Sequence, residues 1–552
     1  MDLTTLARGQ RTAGRLAHIV AILCKYSLAN WLKAVSVRPI RKFLMSFDGQ
    51  PIAGLPTEVR IRMALTEMGA TFIKLGQVLS TRPDVVGSTL AHELSSLQDD
   101  TPADPPDTVR TLIEAELHKP LKELFADFEA EAFASASIGQ VHRARLRDGR
   151  RVVVKVLHHH IETKVATDLD IMTALADLGE KYSAELRNYR PRAVMAEFRR
   201  TLLRELDFRR ELRNIQEFIQ HFQDDKTVRF PTPHPALSSR RVLTLDYLDG
   251  IRIADTDRLK LEGHDLQAIA HRGASVVLNM IFRDGFYHAD PHPGNLLVLA
   301  DTVLGVLDCG MVGRLDDHTR DVFTTMLLAA LARDSGQLTD RVTHLARVPP
   351  DFDREAFESE VHDFLAEFGT QSLNQFDLSG ALNGLADIIR RYHLLLPANL
   401  ALLLKALIVL EGTSRQLDRS FSLAEMIQPY YRRAIQEKLS PRRILRRWRR
   451  MFLEWDHLMR TLPGDVSDIV DRVKRGQFKF ALEHRRLETS VALLVEGLLS
   501  ASLFLGSTLM LCHRVLVDPF FGVSVPGALG LPWSLFLIWR VLRTTKKGRY
   551  ES

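Results

Sequence analysis

His288-Ala289-Asp290-Pro291-His292-Pro293-Gly294-Asn295 is the stretch from which the rest of this chain can be read. It follows a helical pattern and precedes two β-rich runs, Leu296-Leu297-Val298-Leu299 and Val303-Leu304-Gly305-Val306-Leu307, which bracket a tight hairpin. Asp290 and Asn295 stand five apart, and Asp308, in Asp308-Cys309-Gly310, follows Asn295 by thirteen residues. An acid and an amide on one loop, with a second carboxylate returned by a hairpin, can all reach one metal-bound phosphate group. They are oxygen ligands, the kind a hard cation such as magnesium takes. As ordinary loop residues capping turns, Asp290 and Asn295 would call for no carboxylate beyond a following hairpin.

Protein kinases place a catalytic-loop Asp, a metal-binding Asn and a second metal-binding Asp in this order. Upstream, Ala134-Ser135-Ala136-Ser137-Ile138-Gly139-Gln140-Val141 overlays on the kinase nucleotide loop GxGxxGxV. Ala134 and Ala136 take the first two glycine positions, Gly139 and Val141 match directly, and Ser137 and Ile138 lie between. Glycine lets a backbone approach phosphates and adopt positive φ; alanine narrows both freedoms, so the loop is expected to be stiffer and to hold ATP differently. Alone, the run is a small-residue turn. Its weight comes from Lys155, fourteen residues after Val141, where a kinase places the lysine that contacts the α- and β-phosphates. A lysine buried in Val-Val-Val-Lys-Val needs a carboxylate. Reading Phe198–Asn214 as one helix offers Glu205, Asp207 and Glu211. Glu205 is the first choice and Glu211 the alternative, since helical phase does not separate them; at least one of these acids pairs with Arg204, Arg209 or Arg210 on a solvated face.

The surrounding pattern is α+β. Val141–Leu146 and Arg151–Val156 flank an Asp148-Gly149 turn and read as a hairpin, Arg241–Tyr247 reads as a further strand, and the pattern from Arg314 is helical. After Asp308 the chain runs almost directly into a helix, Asp316–Ala332, with no Ala-Pro-Glu and no long segment on which a protein substrate would lie. With 552 residues, 45% of them apolar and 26% charged, the chain is globular and long enough for two or three domains. Its three distant cysteines, Cys24, Cys309 and Cys512, form neither a disulfide framework nor a zinc pattern. The boundaries read as a basic leader at 1–55, a helical extension at 56–130, an N-lobe at 131–250, a helical C-lobe at 251–430, a basic linker at 431–488, two apolar helices at 489–540 and a basic tail at 541–552. The leader carries eight Lys or Arg against one acid in its first 47 residues; it is expected to form an interfacial or packing helix, being broken by Lys25 and Lys33 as a span and poor in serine as a targeting segment.

Three features have no counterpart in ordinary protein kinases: Lys74-Leu75-Gly76-Gln77, the alanine-containing loop, and the run Leu396-Pro397 through Lys405-Ala406-Leu407 to Leu410-Glu411-Gly412. With the two loops around Asp290 and Asp308 they occur in order from about residue 60 to residue 420, and the chain there resembles the UbiB (aarF-domain) family of atypical kinases. The resemblance implies a protein-kinase-like bilobal fold with an N-terminal helical extension. It implies that Lys74 to Gln77 lies over the cleft, with Lys74 reaching Glu205-Leu206-Asp207, and that the alanine loop suppresses autophosphorylation. It implies binding of ATP and Mg2+, with Asp290, Lys155 and Glu205 as catalytic residues and Asn295 and Asp308 as metal ligands. It also implies ATPase activity in support of ubiquinone biosynthesis, with that pathway's proteins or prenylated quinone precursors as partners. A small-molecule phosphotransferase and a nucleotide-bound scaffold are the alternatives.

The C-terminus reads as a transmembrane helical hairpin. Thr489–Cys512 has 24 residues, apolar but for Glu496 and a few hydroxyls, and Pro519–Trp539 has 21 without a charge. Arg485-Arg486 before, and Arg540, Arg543, Lys546, Lys547 and Arg549 after, place both ends in the cytoplasm by the positive-inside rule. A bacterial inner membrane is the expected location. The six arginines of Arg442–Arg450 suit anionic headgroups; with no recognition fold beside them, nucleic acid is not an expected partner.

Overall fold

The structure is a computed structural model that describes residues 3–26, 28, 55–97, 101–182, 190–368, 377–438, 487–513 and 524–547. The arginine run 442–450, the connection 514–523 and residues 548–552 lie outside them. The chain divides into two compact units, Met1–Ser440 and Pro441–Ser552.

The first unit is a mixed α+β, kinase-like body. Strands β1 (Asp127–Phe128), β2 (Ala134–Ser135), β3 (Gly139–Arg145) and β4 (Arg151–Leu157) precede the helix Ile161–Tyr182. After the helices Pro191–Glu205 and Phe208–His221 come β5 (Val228–Arg229), β6 (Val242–Asp246) and β7 (Ile251–Arg252). Strands β1, β3, β4 and β6 form an antiparallel sheet in that order, with β2 added on β3. Strand alternation decides what each face carries. Val152, Val154 and Val156 of β4 are buried on one face against Val109, Leu112 and Ile113 of the helix Pro106–Leu117. That helix, read from sequence as part of the extension, is thus the outer layer of the N-lobe. Val153 and Lys155 face the other way, and Lys155 stands directly opposite Val141 on β3 and Leu243 on β6.

The C-lobe starts with the helix Leu266–Leu278, followed by β8 (Phe286–His288), β9 (Leu296–Val298), β10 (Leu304–Val306) and β11 (Val312–Arg314). The β9–β10 hairpin is the one expected on either side of residues 300–302. β11 returns antiparallel to β8, pairing Val312 with His288, and so the residues after Asp308 are drawn back beside the loop. The helix Asp317–Leu331 then begins, N-capped by the Asp316 carboxylate on the Thr319 amide. It opens the helical half of the lobe, which ends in Leu378–Arg391, Ala398–Leu417 and Leu423–Lys438.

The N-terminal helices are built into this unit. In the helix Leu3–Lys25, Ile19, Val20 and Ile22 are buried, as is Tyr26 just after it. Arg15 meets the buried Asp168 carboxylate at 2.7 Å, and Lys25 and Tyr26 reach Glu67 at 2.7 and 2.8 Å. Over Arg15–Tyr26 the leader thus packs as a helix against its neighbours, with Ile19, Ile22 and Tyr26 in the core. The extension also reaches the helical half. Arg82 holds Asp84 through two bonds of 2.9 and 2.8 Å, donates to the Leu396 carbonyl at 3.2 Å, and Asp84 accepts from the Leu396 amide at 3.3 Å. Ser88 donates its hydroxyl to Asp387 at 2.6 Å.

In the second unit the helices Leu487–Cys512 and Val525–Lys547 lie side by side. Among the described residues one helix is long and apolar enough to cross a membrane, over Leu494–Cys512. The other offers Val525–Trp539, fifteen uncharged residues before Arg540, and the start of the expected second span lies outside the described residues.

Both members of the Arg82–Asp84 pair are buried, with side chains 9% and 0% exposed. Asp84→Ala leaves the guanidinium without its main counter-charge and is expected to destabilise the first unit by ~3–5 kcal/mol. Arg82→Met with Asp84→Leu should restore most of that, read as the thermal unfolding midpoint.

Candidate active site

Of the expected site residues, Lys155, Asp290, Asn295 and Asp308 are brought together between the sheet and the β8–β11 region. Lys155 Nζ lies 2.5 Å from Glu211 Oε1 and 3.7 Å from Asp308 Oδ1. Glu205, the first choice for this pairing, instead faces Lys74 at 3.5 Å. The reason is local. Residues 198–214 are not one helix: the first ends at Glu205, and the Asp207 carboxylate accepts from the Arg209 amide to cap a new helix at Phe208. The second helix buries Phe208, Glu211, Ile215 and Phe218 at spacings of three, four and three, so Glu211 points inward in the apolar row and reaches the lysine. Asp207 is occupied by its cap and by Arg209 at 2.8 Å; Lys74 therefore reaches the Glu205 end of the acidic motif.

Electrostatics follow from this packing. Burial pushes Lys155 down, but Asp308 and Glu211 outweigh it and hold the ammonium above the ordinary lysine range. Burial raises the Glu211 carboxyl, with Lys155 opposing and Asp308 adding. The Lys155 ammonium, against some burial and with help from Lys74, holds Asp308 down to about 2. Lys74 thus acts on the site from the extension. The Gln77 amide donates to the Leu97 carbonyl at 3.4 Å, within the extension.

The loop bearing Asp290 is fixed by His288. Its Nδ1 accepts from the Asp290 amide at 3.1 Å, so Nε2 carries the hydrogen and donates to the Asp308 carbonyl at 3.0 Å. One buried ring therefore ties the two halves of the constellation together. Asp308 sits at φ 49, a left-handed conformation strained for a non-glycine residue. It is held there by that bond, by the Gly310 amide on Oδ1 at 3.3 Å, and by Asn214 on the Cys309 carbonyl at 3.0 Å.

Whether the donors suit magnesium can be judged from the oxygens. Asn295 spends its amide nitrogen on the Asp290 carbonyl at 3.2 Å, which leaves Oδ1 as its acceptor. The Asp308 side chain is 58% exposed to the cleft. No cluster of three His, Cys, Asp or Glu occurs among the described residues. Two protein oxygens fit magnesium, which completes its shell with water and phosphate oxygens.

The small-residue loop is a tight hairpin end. Ala134 pairs with Val141, and the Ala136 amide donates to the Gly139 carbonyl at 2.8 Å. A Cβ on Gly139 would lie 2.6 Å from the Val156 carbonyl oxygen, so this glycine serves close strand packing. His158 supports the loop from below, its Nε2 2.9 Å from the Ala136 carbonyl and its Nδ1 3.1 Å from Asp104; its amide donates to the Ile138 carbonyl at 3.0 Å. Ser137 is buried and its hydroxyl has no hydrogen-bond partner among the described residues. A polar group so placed fits a loop whose complement comes from a ligand.

Two groups in this geometry were not assigned a site role from sequence. His288 was quoted only as part of its motif, and Lys405 lies 3.3 Å from the Asp290 carboxylate. Its signal was a single charge in the apolar run Leu402-Leu403-Leu404-Lys405-Ala406-Leu407.

Residues 96–342 match the ABC1 atypical kinase-like domain and residues 361–422 the UbiB helical domain. A protein described as probable protein kinase UbiB from Pseudomonas aeruginosa is 33% identical over 403 residues, covering 72% of this chain and 76% of its own. One of the same description from Aliivibrio fischeri is 30% identical over 540 residues, covering 96% and 98%. A solved complex of Rv3197 with erythromycin from Mycobacterium tuberculosis overlays with a TM-score of 0.48 at 24% identity, covering 66% of this chain and 93% of that one.

A carboxylate whose pKa is lower folded than unfolded stabilises the fold above its ordinary value, 3.8 for Asp308, and loses that contribution as pH falls toward 2. Asp308→Asn is thus expected to flatten the fall in unfolding midpoint between about pH 4 and 2. A slope equal to wild type would show that the Lys155 field does not reach Asp308.

Proposed function

Because the chain belongs to the UbiB family of ABC1 atypical kinase-like proteins, we propose that it is a membrane-anchored, Mg-ATP-dependent ATPase that serves ubiquinone biosynthesis by handling a prenylated lipid precursor. The observation that carries the ATP reading is the Lys155–Glu211–Asp308 cluster, an ammonium between two carboxylates at 2.5 and 3.7 Å on the cleft face of the sheet.

In this reading Lys155 neutralises the α- and β-phosphates, Asn295 Oδ1 and the Asp308 carboxylate hold magnesium, and Asp290 orients the attacking oxygen. Magnesium held there would supply neutralisation of phosphate charge. Lys74, held by Glu205, keeps the extension near the nucleotide-binding face. Eight residues separate Asp308 from the helix at Asp317, and β11 takes three of them back to β8. A peptide substrate has no platform there, which supports water, or a small acceptor, as the nucleophile. That same feature keeps a small-molecule or lipid phosphotransferase as the second reading.

Membrane anchoring is supported by the inverted composition of the second unit. Its buried residues include Ser500, Ser507, Ser524 and Ser534, while Leu498, Leu499, Leu505, Leu529 and Trp533 are more than 60% exposed. A helix pair that buries serine and shows leucine outward is built for lipid. Glycine allows the approach: a Cβ on Gly527 would lie 2.9 Å from the Ser507 carbonyl. Glu496 pairs with Arg540 across the two helices, which accounts for the one acid in the apolar run. By the positive-inside rule the flanking basic residues put both ends of the helix pair, and the kinase-like body, on the cytoplasmic side of a bacterial inner membrane.

The test is ATP hydrolysis by the full chain in anionic liposomes with magnesium. Loss of a metal carboxylate forfeits several kcal/mol of transition-state stabilisation, so Asp308→Asn should lower turnover by ~10²-fold or more. Nucleotide bound without turnover in wild type would sink the ATPase reading. Glu211→Gln should weaken binding of a fluorescent ATP analogue more than Glu205→Gln does; the reverse order would show that the cleft pairing is not what holds Lys155 for phosphate.

A further inference from the structure

The helix Ala398–Leu417 belongs to the helical segment beyond the kinase-like match, yet it sends a charge into the cleft. Lys405 Nζ stands 3.3 Å from Asp290 Oδ1, with side chains 14% and 35% exposed. Leu403, Leu404, Ala406 and Leu407 around it are buried apolar residues. Among the described residues no other side chain is paired with the Asp290 carboxylate. A helix interior of this kind has no structural call for a cation; a carboxylate on the facing loop does.

The approach is set by packing. Tyr287, fully buried on β8 just before the loop, donates its hydroxyl to the Asn399 carbonyl in the first turn of the helix at 2.8 Å. The ring fits because β11 has Gly313 opposite: a Cβ there would lie 2.1 Å from the ring carbon Cζ. Six residues beyond Asn399, roughly 9 Å along the axis, Lys405 comes level with Asp290. His292, two residues after Asp290 on the loop, turns its Nδ1 back to the Gly294 amide at 3.1 Å and supplies no charge to that carboxylate.

We propose that Lys405 is a positioning residue for Asp290, so that the helical segment completes the phosphoryl-transfer site. The inference rests on the Mg-ATP reading above. With Oδ1 held by the ammonium, Oδ2 is left for the nucleophile. As the new O–Pγ bond forms and the bond from Pγ to the leaving oxygen of ADP breaks, the nucleophile's O–H bond breaks and its proton passes to Oδ2. The electron pair of the broken P–O bond leaves with ADP. Lys405 keeps its three protons throughout; its part is to fix the carboxylate rotamer.

The experiment uses the full chain in vesicles of phosphatidylglycerol and phosphatidylethanolamine with Mg-ATP. Phosphate release is followed by radiolabel so that slow variants are resolved, and binding of a fluorescent ATP analogue and the unfolding midpoint are measured alongside. Lys405→Met is expected to lower kcat by ~10²-fold, as a misplaced catalytic group does, with KM and analogue binding within about twofold. Lys405→Arg should recover most of the loss by restoring a cation. On an Asp290→Asn background Lys405→Met should cost nothing further, because the two act as a unit. An unchanged kcat in Lys405→Met, an equal loss on both backgrounds, or a loss matched by Lys405→Arg and accompanied by a fallen midpoint would each overturn the inference. A wild type without turnover overturns the ATPase reading and this inference together; turnover in wild type that Lys405→Met leaves intact overturns this inference alone.

Discussion

An ammonium on an apolar strand has to be met by carboxylates, and much of the first unit can be understood from that constraint. Lys155 sits on β4 with its side chain 18% exposed, among valines that bury the opposite face of the strand. A charge so enclosed is tolerated only when paired. Glu211 meets it because a new helix starts at Phe208, and the helix starts there because Asp207 caps it. Asp308 meets it because the His288 ring, bonded at both nitrogens, holds the carbonyl of one loop to the amide of the other. The strain at Asp308 is placed where three converging bonds over-determine it, which is where a strained backbone can persist.

The N-terminal helices act on this centre from outside it. Arg15 is anchored on the helix Ile161–Tyr182, Lys74 on Glu205 of the N-lobe, and Arg82 with Asp84 on the backbone at Leu396 in the helical half. One segment thus holds both sides of the cleft, and each hold is a charge removed from water. Opening the cleft would strand those charges, so the extension and the lobes are expected to move as one body. The Lys74 charge contributes to the depressed Asp308 carboxyl, which links the extension to the Asp308 end of the candidate site through space.

Part of the candidate site's geometry was legible in the chain. Asp290, Asn295, Asp308 and Lys155 lie in loops and strands whose spacing is local, and all reach the cleft. The pairing of Lys155 was not legible in the same way. Reading 198–214 as one helix hid the break, although Asp207 followed by Arg209 and the row Phe208, Glu211, Ile215, Phe218 carried the signal for it. Lys405 stands 115 residues from Asp290, and no local pattern joins two such positions. The sequence did not show that Gly139 is also needed for close strand packing, nor that Gln77 reaches the Leu97 carbonyl.

What the amino-acid order determined by itself is whatever depends on neighbours in the chain. This covers the two hairpins, the order of Lys155, Asp290, Asn295 and Asp308 along the chain, the short run from Asp308 to the next helix, and the apolar character of Leu494–Cys512. Only the tertiary structure decided which acid neutralises Lys155, which cation meets Asp290, and that the basic N-terminal helix packs inward on Asp168. Those outcomes turn on the few ångströms over which a charge finds a partner once water is gone, and on which faces of separate helices are pressed together. Sequence spacing carries the period of a strand or a helix; it does not carry the distance between two of them.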